Sequence, residues 1–206
     1  MKEILWSPTD YHLSESNIVK FREYVNQEYN LKLSDYDTLY DWSISNPENF
    51  WHSISIFTKI IFRSKPNTIF EPGSSFLEAK WFNGCKLNYA ENLLKNKDNK
   101  VAIEYFCENK IKGKITYLEL YEKVRDISNY LRKIGIKKGD VIAGFLPNIP
   151  ETVIAMLATS SIGAIWTSCS PDFGLNGIFD RFKQSKPKII FVTDGYYYKG
   201  NKVDLS

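Results

Sequence analysis

A chain of 206 residues, 43% hydrophobic and 25% charged, can bury one or two cores and falls outside the compositions of disordered and fibrous proteins. Its 27 basic and 24 acidic residues leave a formal charge of +3, too small an excess to imply nucleic acid or an anionic membrane as partner. Three scattered cysteines, Cys85, Cys107 and Cys169, and two histidines, His12 and His52, make no CxxC and no metal-ligand spacing; the expectation is reduced thiols, no metal site and a cytoplasmic setting.

The run Met1-Lys2-Glu3-Ile4-Leu5-Trp6-Ser7-Pro8 has no apolar stretch of signal-peptide type. Ser14 and Ser16 can cap a helix over residues 16–29, whose apolar positions Ile18, Phe21, Val25 and Tyr29 recur at helical spacing. A second helix is expected from Ser34 or Asp35, carrying Tyr36, Leu39, Tyr40 and Trp42. Asn46-Pro47 starts a third, with asparagine as cap and proline at the first helical position. Its stripe Phe50, Ile54, Phe57, Ile61 has the 4-3-4 spacing of a buried face. A loop region follows, with Lys65-Pro66-Asn67 and Glu71-Pro72-Gly73-Ser74. The polar break Asn96-Lys97-Asp98-Asn99-Lys100 suggests a boundary, giving a helix-and-loop extension over 1–98 and an α/β region over 99–206.

That region opens with a strand at 101–106, a turn near Asn109 and a short strand at 111–115. Thr116-Tyr117-Leu118-Glu119 is a capping box: the Thr116 hydroxyl can accept from the Glu119 amide while the Glu119 carboxylate reaches back. The helix behind it carries Leu120, Val124, Ile127, Leu131 and Ile134 on one face and stops at Gly135. Lys138-Gly139-Asp140 turns into a strand at 141–146. Pro150 opens a helix to about Ile162, Gly163 ends it, and a buried strand covers 164–168. A helix near 175–184 then leads to a strand at 188–193. The uncharged run 152–171 is interrupted by Thr159, Ser160 and Ser161 and preceded by Pro147, Pro150 and Glu151; helix, turn and strand explain it better than a membrane span. This β-α-β-α-β series implies a mostly parallel sheet covered on both faces, with right-handed crossovers. Ligands of such sheets bind beyond the carboxyl ends of the strands, here Pro147-Asn148, residues 168–174 and residues 194–202.

No Gly-x-Gly and no Walker-type loop occurs, so the glycine-built phosphate cradles are absent. The segment Thr68-Ile69-Phe70-Glu71-Pro72-Gly73 resembles the acidic strand end of a small methyltransferase, but Gly73 stands alone and an ordinary turn is preferred. Ser168-Cys169-Ser170-Pro171-Asp172-Phe173-Gly174 reads equally as a ligand border and as a turn built from Pro171, Asp172 and Gly174. Cys169 is not expected to be a nucleophile, because no histidine in this half can activate it. The stretch Asp194-Gly195-Tyr196-Tyr197-Tyr198-Lys199-Gly200-Asn201-Lys202 can meet a phosphorylated ligand, or it can be a solvated tip over packed aromatics.

Taken together, several segments carry a resemblance. They are Leu5-Trp6-Ser7-Pro8, Trp42-Ser43 with Asn46-Pro47 and Phe50-Trp51, Trp81-Phe82-Asn83-Gly84, Leu87-Asn88-Tyr89-Ala90-Glu91-Asn92, Gly139-Asp140-Val141, and the long run from Met156 through Ile165-Trp166 to Ser170-Pro171-Asp172-Phe173-Gly174, followed by Asp180-Arg181-Phe182. On these the chain resembles the amino-terminal portion of the acyl-CoA synthetases of the adenylate-forming superfamily. Trp166 and Ser170-Pro171-Asp172-Phe173-Gly174 point to the acetoacetate branch rather than the acetate one.

The resemblance implies the first part of an incomplete, mostly parallel βαβ sheet behind a helical extension. It implies a two-step ligase: a carboxylate attacks the α-phosphate of ATP, then the CoA thiol displaces AMP, with magnesium assisting. The family's phosphate loop, adenine and ribose contacts, hinge and C-terminal lysine have no counterpart in these residues, so no catalytic residue is assigned. The expected consequence is a truncated adenylation domain without turnover of its own. It would bind none of ATP, CoA or magnesium tightly alone, and the remainder of the ligase is a candidate separate partner. In acetate-type relatives an Arg-Gly-rich turn touches the CoA phosphates. The aligned positions are Tyr198, Lys199, Gly200 and Asn201, with Lys202 beside them and tyrosine where arginine stands. Ser170, Asp172, Phe173 and Gly174 are expected to border the pocket. Acetoacetate is the implied acid. The alternatives are an acetate- or propionate-type synthetase portion, a non-catalytic interaction module and a small methyltransferase.

Overall fold

The computed structural model describes residues 5–108 and 112–205; the turn expected near Asn109 lies outside them. Packing divides the chain between Lys86 and Leu87 into two compact units.

In the first unit, helix α1 (Asp10–Glu15) is capped by Thr9 and buries none of its residues, so it leaves no periodic signal in the sequence. Helix α2 (Asn17–Tyr29) starts at Ser16, whose hydroxyl accepts from the Val19 amide, and ends at Asn30 in the left-handed region. Helix α3 (Tyr36–Ser45) is capped by Asp35, and α4 (Pro47–Phe57) has proline in its first turn. Phe21, Val25 and Leu39 form the buried centre, with Trp42, Phe50, Ile54 and Phe57 packed around them.

Two expectations need correction. Asn46 does not cap α4 with its side chain; its amide donates to the Trp42 carbonyl at 3.2 Å, closing α3 instead. The apolar stripe also stops at Phe57, because Lys59 turns left-handed and Ile60 N–H bonds back to the Ser55 carbonyl; Ile61 therefore lies beyond the helix. The loop region that follows contains β1 (Thr68–Glu71) and β2 (Lys80–Asn83), paired antiparallel across a single 3-10 turn at Phe76–Glu78. A strand returning antiparallel is not the strand–turn–helix of a small methyltransferase, and the structure here contradicts that expectation.

In the second unit, α5 (Tyr89–Leu93) precedes an antiparallel hairpin of β3 (Val101–Phe106) and β4 (Lys112–Thr116). Helix α6 (Tyr117–Lys133) carries the capping box: the Thr116 N–H donates to the Glu119 carboxylate at 2.8 Å and the Glu119 N–H to the Thr116 hydroxyl at 3.2 Å. Leu120, Val124 and Leu131 are buried as expected, but Ile134 is 45% exposed and sits at the helix end, where the chain turns and Ile136 enters the core instead. The three strands β5 (Val141–Phe145), β6 (Ile165–Cys169) and β7 (Ile189–Val192) form a parallel sheet in the order β6-β5-β7.

Helices α7 (Pro150–Ser161) and α8 (Leu175–Ser185) are the connections between successive parallel strands. A step to one side of β5 and then back across it, with the same hand, places the two crossovers on opposite faces. On one face Ile142, Trp166, Ile189 and Phe191 join Leu131, Ile154, Leu157 and Ala158 in one core. The other face is covered only in part, against the expectation of two covered faces: Ala143 and Cys169 are buried, but Ile165, Ile190 and Val192 are exposed. A second hairpin, β8 (Gly195–Tyr198) and β9 (Asn201–Asp204), follows the sheet. No helix among the described residues is long and apolar enough to cross a membrane.

Candidate functional site

Parallel strands aim their carboxyl ends at one edge of the sheet, and that edge carries the candidate site. Beyond β5 the chain runs through Pro147 and Asn148 into α7, where the Thr152 hydroxyl donates to the Pro147 carbonyl at 2.7 Å and fixes the turn. Beyond β7, Thr193 bonds through its hydroxyl to the Gly195 carbonyl at 2.8 Å and the chain enters β8. Gly195 cannot be replaced without movement, since an added Cβ would lie 2.6 Å from the Val203 carbonyl oxygen of β9.

These two strand ends and the end of β3 enclose a cavity of about 600 Å³. Its wall includes Tyr105, Phe106, Cys107, Glu108, Asn148, Glu151, Asp194, Tyr196, Tyr197 and Lys202. Three carboxyl-bearing residues, Glu108, Glu151 and Asp194, and one lysine, Lys202, are among the lining, so the wall carries more acidic than basic side chains, while Lys199 stands at the hairpin tip. Electrostatic pairing at the opposite edge is structural in kind: Lys188 Nζ sits 2.6 Å from Asp140 Oδ1, and this hydrogen bond, with the Lys137 amide, holds the Asp140 carboxyl below its ordinary range.

The hairpin itself was readable as a loop, not as two strands. Tyr198 pairs with Asn201, and the two residues between them, Lys199 and Gly200, both have positive φ, +51° and +78°. That is the backbone of a type I′ turn, whose twist suits a two-residue hairpin. Lysine at its first central position is disfavoured by the turn alone, so the turn does not account for its presence. The Lys199 ammonium lies 5.3 Å from the centre of the Tyr198 ring. Among the described residues neither Lys199 nor Lys202 has a carboxylate partner within ion-pair distance.

Of the sequence-selected positions, Lys202 lies in the cavity wall, and Tyr198, Lys199, Gly200 and Asn201 form the exposed tip beside it. The loop Ser170, Asp172, Phe173 and Gly174 is exposed and does not contribute to that wall. It forms a turn in which Phe173 N–H bonds to the Ser170 carbonyl at 3.2 Å, and Gly174 caps α8. The Arg181 guanidinium covers the Phe173 ring at 4.5 Å. Sequence reasoning missed Glu108, whose carboxylate accepts from the Gly200 amide at 3.0 Å across 92 positions of chain, and no local pattern announces a contact of that range. It also missed Glu151, which local signals present only as an acidic first-turn residue of α7. Among the described residues no group of three or more His, Cys, Asp and Glu side chains is placed to hold a metal ion, so these residues do not form a magnesium site.

Comparison with known proteins places this geometry. Residues 36–93 match the family model described as the acetyl-coenzyme A synthetase N-terminus, and residues 90–205 match the model described as AMP-binding enzyme. Among curated proteins, an acetoacetyl-coenzyme A synthetase of Rhizobium meliloti (strain 1021) is 38% identical over 98% of this chain and 31% of its own length. An acetoacetyl-CoA synthetase of Danio rerio is 40% identical over 98% of this chain and 30% of its own length. The chain thus spans about 30% of the length of the curated relatives it matches. The solved acetoacetyl-CoA synthetase of Streptomyces lividans superposes with a TM-score of 0.87 at 32% identity, covering 98% of this chain and 32% of that one. The fold is therefore the α/β arrangement found in part of that adenylate-forming structure. With the match over residues 90–205 taking in more than half of its length, this chain belongs to the AMP-binding enzyme family.

Proposed function

We propose that the chain is the amino-terminal portion of an ATP-dependent, AMP-forming acid–CoA ligase whose acid is acetoacetate. Residues 1–98 serve as the extension and 99–206 as the start of the adenylation domain. The observation that carries this reading is the likeness to acetoacetyl-CoA synthetases along nearly the whole chain. In the complete ligase the acetoacetate carboxylate attacks the α-phosphate of ATP and releases pyrophosphate. The CoA thiol then attacks the acyl carbon of the adenylate and releases AMP. Magnesium bound in the complete ligase would supply neutralisation of phosphate charge, and none of the described residues of this chain forms a site to hold it.

This chain's share of that chemistry is binding. The tip residues Tyr198, Lys199, Gly200, Asn201 and Lys202 meet the CoA phosphates, with Lys199 and Lys202 supplying charge and the Gly200 amide a donor. The loop Ser170, Asp172, Phe173 and Gly174, which lies outside the cavity wall described above, borders the substrate pocket that the complete ligase forms at the end of β6. The remaining polypeptide of the ligase, as a continuous or a separate chain, supplies the nucleotide contacts, and the setting is cytoplasmic.

A chimera tests this reading. The present chain replaces the matching part of the Danio rerio relative, and AMP release is measured with ATP, CoA and either acetoacetate or acetate. Acetoacetate-dependent AMP and thioester formation is the expected result, with no turnover by the 206-residue chain alone. The match to the acetyl-coenzyme A synthetase N-terminus favours a second reading, an acetate- or propionate-type ligase, and a chimera preferring acetate establishes that one instead.

A further inference from the structure

In a type I′ turn the hairpin's own hydrogen bonds use the flanking residues, so the amide of the second central residue points outward and is free to receive an anion. At Gly200 that amide already has one: the Glu108 carboxylate accepts from it at 3.0 Å. Glu108 lies two residues beyond β3, 92 positions away from Gly200, and it is exposed. Among the described residues it has no cationic partner in ion-pair range. A carboxylate that bypasses the nearby lysines Lys199 and Lys202 and takes a backbone N–H marks that amide as an anion seat. Its attachment to the same chain gives it a standing local concentration that any incoming ligand must overcome.

We infer that Glu108 is the resident anion of the β8–β9 turn, and that it makes the turn selective for phosphate monoesters. A dianionic phosphate presents three acceptor oxygens and two charges, so it can hold the Gly200 amide together with Lys199 and Lys202. A lone carboxylate offers nothing that Glu108 does not already supply. Displaced, Glu108 returns to solvent at the cavity mouth, and the seat passes to the ligand without any covalent step. This rests on the assignment of CoA phosphates to the hairpin and adds the group that competes with them.

The test is an NMR titration of the full 15N-labelled chain, following the Gly200 amide. The probes are adenosine 3′,5′-bisphosphate, inorganic phosphate and acetate, and the variants are Glu108→Gln, Glu108→Ala and Glu151→Gln. Freed of the charged competitor, Glu108→Gln and Glu108→Ala should bind the bisphosphate about tenfold more tightly, a gain typical of one charged hydrogen bond. Acetate should move the Gly200 signal in Glu108→Ala and leave the parent chain unaffected. Equal or weaker binding by the Glu108 variants overturns the inference and leaves Glu108 as a structural clip. A gain as large in Glu151→Gln also overturns it, because general charge then accounts for the effect. If the parent and all variants respond alike to phosphate, the selectivity device fails while the CoA reading stands; if the signal never responds to any phosphate probe, both fall.

Discussion

Asn88 holds the ends of two helices at once. Its Oδ1 accepts from the Glu91 amide at 3.0 Å and caps α5, while its Nδ2 donates to the Ser160 and Ser161 carbonyls at 2.9 and 3.2 Å and closes α7. The sequence displayed this asparagine inside a family segment without saying what it does, because the second contact spans 72 positions. Asn88→Asp keeps an oxygen for the α5 cap but loses both donors and sets a negative charge at the carbonyl end of α7, where the helix dipole opposes it. Urea denaturation should show a loss of about 1–3 kcal/mol, and an unchanged midpoint would mean that the α7 contacts contribute nothing. Asp35 offers a pH-dependent counterpart. The Thr38 amide, then the Ser34 and Thr38 hydroxyls, lower its carboxyl from the ordinary 3.8 to about 2. A depressed folded-state value stabilises the fold above the unfolded value and loses that contribution as pH falls through the folded one. The thermal midpoint should therefore drop between pH 4 and pH 2. In Asp35→Asn, which retains a good cap but cannot titrate, the drop should be smaller; equal acid limbs in the two proteins would contradict this.

Elements with strong local punctuation were the legible ones. Thr116 with Glu119, Pro150 with Gly163, and the alternation of short apolar runs with amphipathic helices placed α6, α7 and the parallel strands within a residue or two of where they stand. Position failed where a neighbour outbid local preference, as with Asn46, whose amide served the helix behind it, and Ile134, which was displaced from the core by the turn at Gly135. The β8–β9 hairpin was opaque because its central residues are lysine and glycine rather than the usual asparagine and glycine. Packing inside the sheet was equally hidden. Gly144 of β5 lies beneath the Trp166 ring, and a Cβ there would sit 2.5 Å from the ring's Cζ2 atom. Gly144→Ala should therefore cost about 1–3 kcal/mol through forced repacking. The double variant with Trp166→Leu should lose less than the sum of the single changes, with a coupling above roughly 0.5 kcal/mol in a double-mutant cycle. Strict additivity would show that the two residues do not press on each other.

At the scale of the molecule, the parallel sheet is built for cover on both sides yet leaves large apolar side chains of one face open. Parallel strands are normally buried on both faces; here β6 and β7 are both edges of a three-stranded sheet among the described residues. Ile165, Ile190 and Val192 are 52%, 42% and 66% exposed on its second face, and Phe179 of α8 is 68% exposed. The sequence showed these residues as strand and helix apolar positions, but period alone does not say whether a partner is present to cover them. Exposed apolar edges with unpaired backbone groups are templates for association. The isolated chain should therefore self-associate as its concentration rises, through this face. Light scattering across a concentration series should show the apparent mass climbing for the parent chain. Ile190→Lys with Val192→Lys should suppress that climb, since lysine on an edge strand blocks pairing, while far-ultraviolet circular dichroism confirms that both chains remain folded. A parent chain that stays monomeric across the whole series would show that the second face is closed by something other than association.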